Sequence, residues 1–127
     1  MAVLFKSVGR KNPQDLTAPE KYYPLVVPNG EVDLRSLAKT LTRESTVTSG
    51  DCYSILVNLE EQIAILLEEG RSVKLGHLGS FRIGISGTGS DTEEDVSSHN
   101  VTKARVLFRS GLELQRMLNN LKFKKQG

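Results

Sequence analysis

The residues of this chain best equipped for chemistry are long basic side chains. Arg82, Lys103, Arg105 and Arg109 follow one another through the second half, and Lys122, Lys124 and Lys125 crowd its end. Guanidinium and ammonium groups clustered this way form the electrostatic footprint of a polyanion partner. The inventory for catalysis is thin by comparison. Covalent or acid–base catalysis needs a nucleophile, a base and an orienting group held together, yet the two histidines are His77 and His99, and His99 lies in a stretch almost without apolar residues. No Ser sits in a nucleophile-elbow pattern. Gly87-Thr88-Gly89 begins like a dinucleotide fingerprint, but Thr92 stands at the third glycine position and no helical pattern follows. The single cysteine, Cys52, excludes an internal disulfide and every zinc pattern built on paired cysteines. A non-enzymatic protein without cofactor, metal or small-molecule substrate is expected.

Net charge is only +2, but its distribution is uneven. Residues 1–30 carry four basic and two acidic groups, and residues 31–70 carry three and eight. Residues 71–83 hold three basic groups and no acid; residues 84–102 hold four acids and no base. Residues 103–127 return to seven basic against one acidic. The N-terminal apolar run is too short for a signal segment, and no later stretch approaches the ~18 apolar residues of a membrane span. With one cysteine, these features lead us to expect a reducing, cytoplasmic setting and no membrane partner.

The elements that must position the basic groups are legible in the periodicity. Residues 2–8 and 21–27 read as two strands of an N-terminal extension, with Pro24 demanding an edge position because it cannot donate to a ladder. After the turn signal at Asn29 and Gly30, the helical spacing of Leu34, Leu37, Ala38 and Leu41 predicts a helix over about 31–44. Thr48 and Asp51 open a second helix, which carries Ile55, Leu56, Leu59, Ile63, Leu66 and Leu67 and stops at Gly70. That stripe is wide for a helix with one short partner, so part of it is expected to pack on a second copy of the chain. From Arg71 the period becomes alternating through Val73, Leu75, Phe81, Ile83 and Ile85. Residues 86–100 contain one strongly apolar residue, Val96, and read as an exposed loop or flexible arm. Val101 to Phe108 returns as a strand, and Ser110 is placed to cap a last helix bearing Leu112, Leu114, Met117, Leu118 and Leu121. The remaining Lys-rich residues read as a basic tail.

Two fragments in this order carry a family resemblance. VKLGHLGSF, residues 73–81, resembles the strand–loop–strand of the HU and integration-host-factor DNA-binding family, with its Gly-aromatic-Gly-Thr-Phe pattern. FRSG, residues 108–111, followed by Leu114, resembles the Phe-Arg-Pro-Gly that opens that family's last helix. The likeness covers residues from about 31 to 121, and the whole resembles longer HU-related bacterial proteins with an N-terminal β-extension. It implies an α+β, HU-like fold: two helices, a three-stranded antiparallel sheet with an extended arm at about 84–103, and a C-terminal helix, in an intertwined homodimer. The corresponding domains are an N-terminal β-extension, residues 1–30, and an HU-like DNA-binding domain, residues 31–127.

The resemblance further implies a nucleoid-associated architectural protein that binds double-stranded DNA with weak sequence selectivity. Leu78, Phe81 and Phe108 would fill the apolar centre. Gly79 and Ser80 match a turn offering backbone amides to phosphate, and Lys74, Arg82, Lys103, Arg105 and Arg109 would be phosphate partners. The departures are concrete. The family arm is rich in Arg and Lys and ends in Arg-Asn-Pro, whose proline wedges between base steps; residues 86–100 here have no Arg, Lys or Pro and include Asp91, Glu93, Glu94 and Asp95. His77 replaces the first loop glycine. A similar tip sequence stands at the N-terminus instead, GRKNPQ at residues 9–14. Two readings of it stay open: a plain turn bent at Asn12 and Pro13, or a DNA contact in which Arg10 and Lys11 meet the backbone and Pro13 supplies the wedge. The alternative for the whole chain is a dimeric interaction module of this fold with little DNA affinity, working through its acidic arm or N-terminal strands.

Overall fold

The computed structural model describes all 127 residues. In chain order it contains β1 (Val3–Arg10), β2 (Lys21–Val26), α1 (Leu34–Leu41), α2 (Ser49–Glu68), β3 (Val73–Leu75), β4 (Gly79–Gly87), β5 (Val101–Ser110), α3 (Leu112–Asn119) and β6 (Phe123–Lys125). These elements form two compact units, one of residues 1–33 with 117–127 and the other of residues 34–116. The architecture is α+β, with two three-stranded sheets.

In the first unit the strand order is β2-β1-β6. β1 and β2 pair antiparallel, from Phe5 opposite Val26 to Arg10 opposite Lys21. Pro24 falls on the outer strand, where the sheet tolerates a missing donor. The β1–β2 connection is closed by short side-chain bonds: the Gln14 amide donates to Asn12 Oδ1 at 2.9 Å, and Thr17 Oγ1 donates to Asp15 Oδ1 at 2.6 Å. The Thr17 bonds hold the Asp15 carboxyl below its ordinary pKa. The expected basic tail is instead a strand. β6 runs parallel to β1 with Val3 opposite Phe123, and the Val3 amide donates to the Lys122 carbonyl at 2.8 Å.

In the second unit α1 is shorter than expected. Residues 31–33, after Gly30 at φ +86°, are not helical, and the helix runs only from Leu34 to Leu41. There the Thr42 hydroxyl donates to the Ala38 carbonyl at 3.0 Å while the Arg43 amide bonds back only three residues, to Thr40. Such local bonds compete with helix continuation. α2 keeps its expected limits. Thr48 Oγ1 accepts from the Asp51 amide at 3.1 Å, and Gly70, at φ +82°, ends the helix with its amide on the Leu67 carbonyl. The Arg35 guanidinium lies 4.7 Å from the Tyr53 ring centroid and links α1 to α2.

α3 is not capped as the sequence suggests. The Ser110 hydroxyl accepts from the Gln115 side chain, and the orphan amide of Glu113 goes to the His77 carbonyl at 3.0 Å. The helix start is therefore tied to the β3–β4 turn. Residues 86–100 are exposed apart from half-buried Asn100, as expected, but they are not a featureless loop. They form two short 3₁₀ turns, Glu93–Asp95 and Ser98–Asn100, held by Asn100. Its amide nitrogen donates to the Thr88 carbonyl and to Ser90 Oγ, each at 2.9 Å, and its Oδ1 accepts from the Ser97 amide at 2.8 Å. No helix is long and apolar enough to cross a membrane.

The Thr48 cap bounds the longest helix by itself, so Thr48→Ala is expected to lower stability by about 1 kcal/mol. A shifted urea midpoint with an unchanged m-value would report it.

Candidate nucleic-acid interface

Three strands in the order β3-β4-β5 build the site. In a pleated ladder directly paired residues share a face and successive residues alternate. The register places Phe81 opposite Phe108, Ile83 opposite Val106 and Ile85 opposite Ala104, with Val73 opposite Phe81. That face is apolar, and Phe81 and Phe108 are in ring contact at 4.9 Å between centroids, tilted by 49°. It turns toward α2, and an open apolar hollow of about 470 Å³ lies between Ile63, Ala64 and Leu67 on the helix and Phe81, Ile83 and Val106 on the strands.

The other face carries Ser80 opposite Arg109, Arg82 opposite Leu107, Gly84 opposite Arg105, Ser86 opposite Lys103, and Lys74 opposite Ser80. Lys74, Arg82, Lys103, Arg105 and Arg109 are all exposed, and this face holds no acid. Arg82, Lys103, Arg105 and Arg109 are spread over 28 positions of the sequence, and the pleat is what gathers them. Arg105 is the best fixed, its guanidinium donating to Ser86 Oγ at 2.7 Å. Gly84 makes room for this, since a Cβ there would strike the Leu107 side chain and approach Arg105. The ladder ends in a register shift between Ser86 and Gly87, where a Cβ on Gly87 would collide with the Asn100 carbonyl. Beyond it come the acids Asp91, Glu93, Glu94 and Asp95, all exposed.

Gly79 is not on this surface. It is buried, at φ +155°, with the Phe108 ring and the Arg109 carbonyl where a Cβ would sit. Its function in the fold is close packing of the turn against β5, while the neighbouring Ser80 is half-buried on the basic face. His77 is exposed and uses its carbonyl to hold α3. Arg10, Lys11 and Pro13 belong to the other unit, where they are exposed at the β1–β2 connection and line one open hollow. No group of three or more His, Cys, Asp or Glu side chains is placed to hold a metal ion.

A family model described as "HU domain fused to wHTH, Ig, or Glycine-rich motif", HU-HIG, matches residues 1–125. The chain belongs to this HU-HIG family. Among solved structures, it is similar to one titled "Putative bacterial DNA binding protein" from Bacteroides vulgatus ATCC 8482, at 13% identity and TM-score 0.67. That match covers 99% of this chain and 49% of the other, so the chain spans about half the length of that protein. An Anabaena HU–DNA cocrystal structure matches at 18% identity and TM-score 0.49, over 70% of this chain and 98% of the other. A comparison with curated protein sequences returns no match. The HU-HIG match runs through β1, β2 and β6, beyond the residues from about 31 to 121 that carry the likeness to HU itself.

Gly79 gives the sharpest local test of this HU-HIG sheet. Gly79→Ala combines a glycine-only backbone with a steric collision and is expected to cost about 3 kcal/mol. Gly76→Ala, at φ +53° with open space around it, should cost only about 1 kcal/mol. Equal effects in urea unfolding would contradict this packing.

Proposed function

We propose that the chain is a non-enzymatic, homodimeric DNA-binding protein that holds double-stranded DNA through the basic face of β3-β4-β5, with weak sequence selectivity and a nucleoid-associated, architectural role in the cytoplasm. The observation that carries this reading is the gathering of five unpaired-by-carboxylate cations on one sheet face whose reverse is apolar. Neither ion pair of the chain, Arg71–Glu69 or Arg116–Glu113, involves them. Lys74, Arg82, Lys103, Arg105 and Arg109 would meet phosphate oxygens, with Ser80 donating a hydrogen bond beside them. Such contacts position a duplex without reading its bases. The membership in a family named for its HU domain, and the DNA-binding title of the Bacteroides neighbour, agree with it.

What the chain leaves uncovered supports the dimer. Only Ala38, Leu67 and Gly79 are buried, while Ile55 is 62% and Leu59 39% exposed on α2, and Val106 57% and Phe108 47% exposed on β5. The accessible surface is 11000 Å². Even two separate compact units of this total mass would expose only about 8,000 Å². A second copy laid against α2 and the apolar sheet face would account for the excess and fill the hollow beside Phe81.

The acidic tip would stand away from phosphate, so the minor-groove contact is assigned to the N-terminal turn: Arg10 and Lys11 against the backbone and Pro13 as the apolar wedge. The competing interaction-module reading has the acidic tip in its favour, since four exposed carboxylates repel DNA.

Duplex binding measured across salt concentrations tests the proposal. Arg105→Ala with Arg109→Ala should weaken unrelated duplexes about equally and reduce the log–log salt slope by about two units for each arm engaged. Loss on one sequence alone would contradict weak selectivity, and no binding at low salt would favour the interaction module.

A further inference from the structure

The N-terminal sheet repeats the two-faced design in residues that the sequence alone does not group. On one face of β1 lie Val3, Phe5 and Ser7, with Pro24, Val26 and Phe123 opposite them. The Glu20 carboxylate is on this same side, seated over Gly9 where a Cβ would collide with it. The other face carries Lys6, Val8 and Arg10 from β1, Lys21, Tyr23 and Leu25 from β2, and Lys124 from β6 opposite Leu4. Its charged groups are therefore Lys6, Arg10, Lys21 and Lys124, all exposed, and the nearest acid in sequence, Glu20, is on the far side. Asp15 is occupied by Thr17.

Two features point to an anion on this face. Arg10 and Lys21 are directly opposite each other in the ladder, a like-charge pairing that destabilises a free sheet. A phosphate between them turns that repulsion into two charge-assisted bonds. The pair also opens into a hollow of about 530 Å³ lined by Arg10, Lys11, Pro13, Pro19, Lys21 and Tyr23, with no acidic residue in its wall. From the level of Lys124, opposite Leu4, to Arg10 the row covers six residue steps, roughly 20 Å of strand.

We propose that this basic face, centred on the Arg10–Lys21 pair and flanked by Lys6, Tyr23 and Lys124, is a second surface for the phosphate backbone of duplex DNA, separate from the β4–β5 arm. It rests on the DNA-binding reading above and extends it from the turn at Pro13 to the whole sheet face. The site is built by three strands from opposite ends of the chain, so the C-terminal residues contribute directly to it.

The test uses the full-length chain and a duplex long enough to reach both surfaces. Lys6→Gln with Lys21→Gln should weaken binding several-fold and lower the salt slope by nearly two units for each sheet engaged, with an equal or higher unfolding midpoint because the like-charge pair is gone. Lys39→Gln, exposed on α1 and outside both basic faces, is the control and should leave the slope in place. Duplex binding by the unsubstituted chain with no change of slope in the double variant overturns the second surface alone. No duplex binding by the unsubstituted chain overturns both readings. Salt-sensitive self-association abolished by either Lys6→Gln with Lys21→Gln or Asp91→Asn with Glu94→Gln, without a change in DNA slope, would instead assign the face to the acidic tip of another copy.

Discussion

Side-chain alternation in the β4–β5 ladder is the constraint on which this structure depends. With Phe81 paired to Phe108, the residues alternating outward from that contact are apolar on one face and, Leu107 apart, small or basic on the other. A slip of one residue in either strand would turn its cations, Arg82 on β4 or Arg105 and Arg109 on β5, toward α2 and its apolar residues, Ile83 or Val106, away from it. Burying an unpaired cation is expensive enough to exclude that register. The same pairing that makes a core face therefore makes a basic face, and glycines at positions 79, 84 and 87 permit the close approaches that keep the strands aligned.

The constraint also leaves the chain incomplete. A sheet with one apolar face needs a layer against it, and α2 covers only part of this one. Ile83 and Val106, both exposed, line one hollow with Phe81 and with Ile63 and Leu67 of α2, while Ile55 and Leu59 on α2 and Phe108 on β5 are uncovered outside it. A second copy is the economical cover, since it would bring an identical unfilled surface of its own. On the proposed function, dimerisation and polyanion binding would be two results of one pattern, the apolar face serving association and the basic face serving DNA.

Much of this was legible in the sequence because it rests on short-range rules. Period-two alternation located β4 and β5, Thr48 and Gly70 bounded α2, and Pro24 marked an outer strand. What escaped depends on partners distant in sequence or on side-chain networks. β6 has three residues, two of them lysines, and exists only because β1 accepts it from the other end of the chain. The α3 cap is supplied by His77, more than thirty positions upstream, in place of adjacent Ser110. Asn100 orders a segment whose composition signals disorder, because hydrogen bonds there replace hydrophobic burial. The arm's basic face could be assembled from alternation within two strands. The N-terminal one needs the register of three strands, so Lys6, Lys21, Tyr23 and Lys124 carry no signal as a group.

The most direct measurement of the central claim is the denaturant midpoint of the full chain over a wide range of protein concentrations. If a second copy completes the apolar layer, unfolding and dissociation are one event, and each tenfold rise in concentration adds about 1.4 kcal/mol to apparent stability. A midpoint independent of concentration, from a chain that sediments as a folded monomer, would contradict the account at its base.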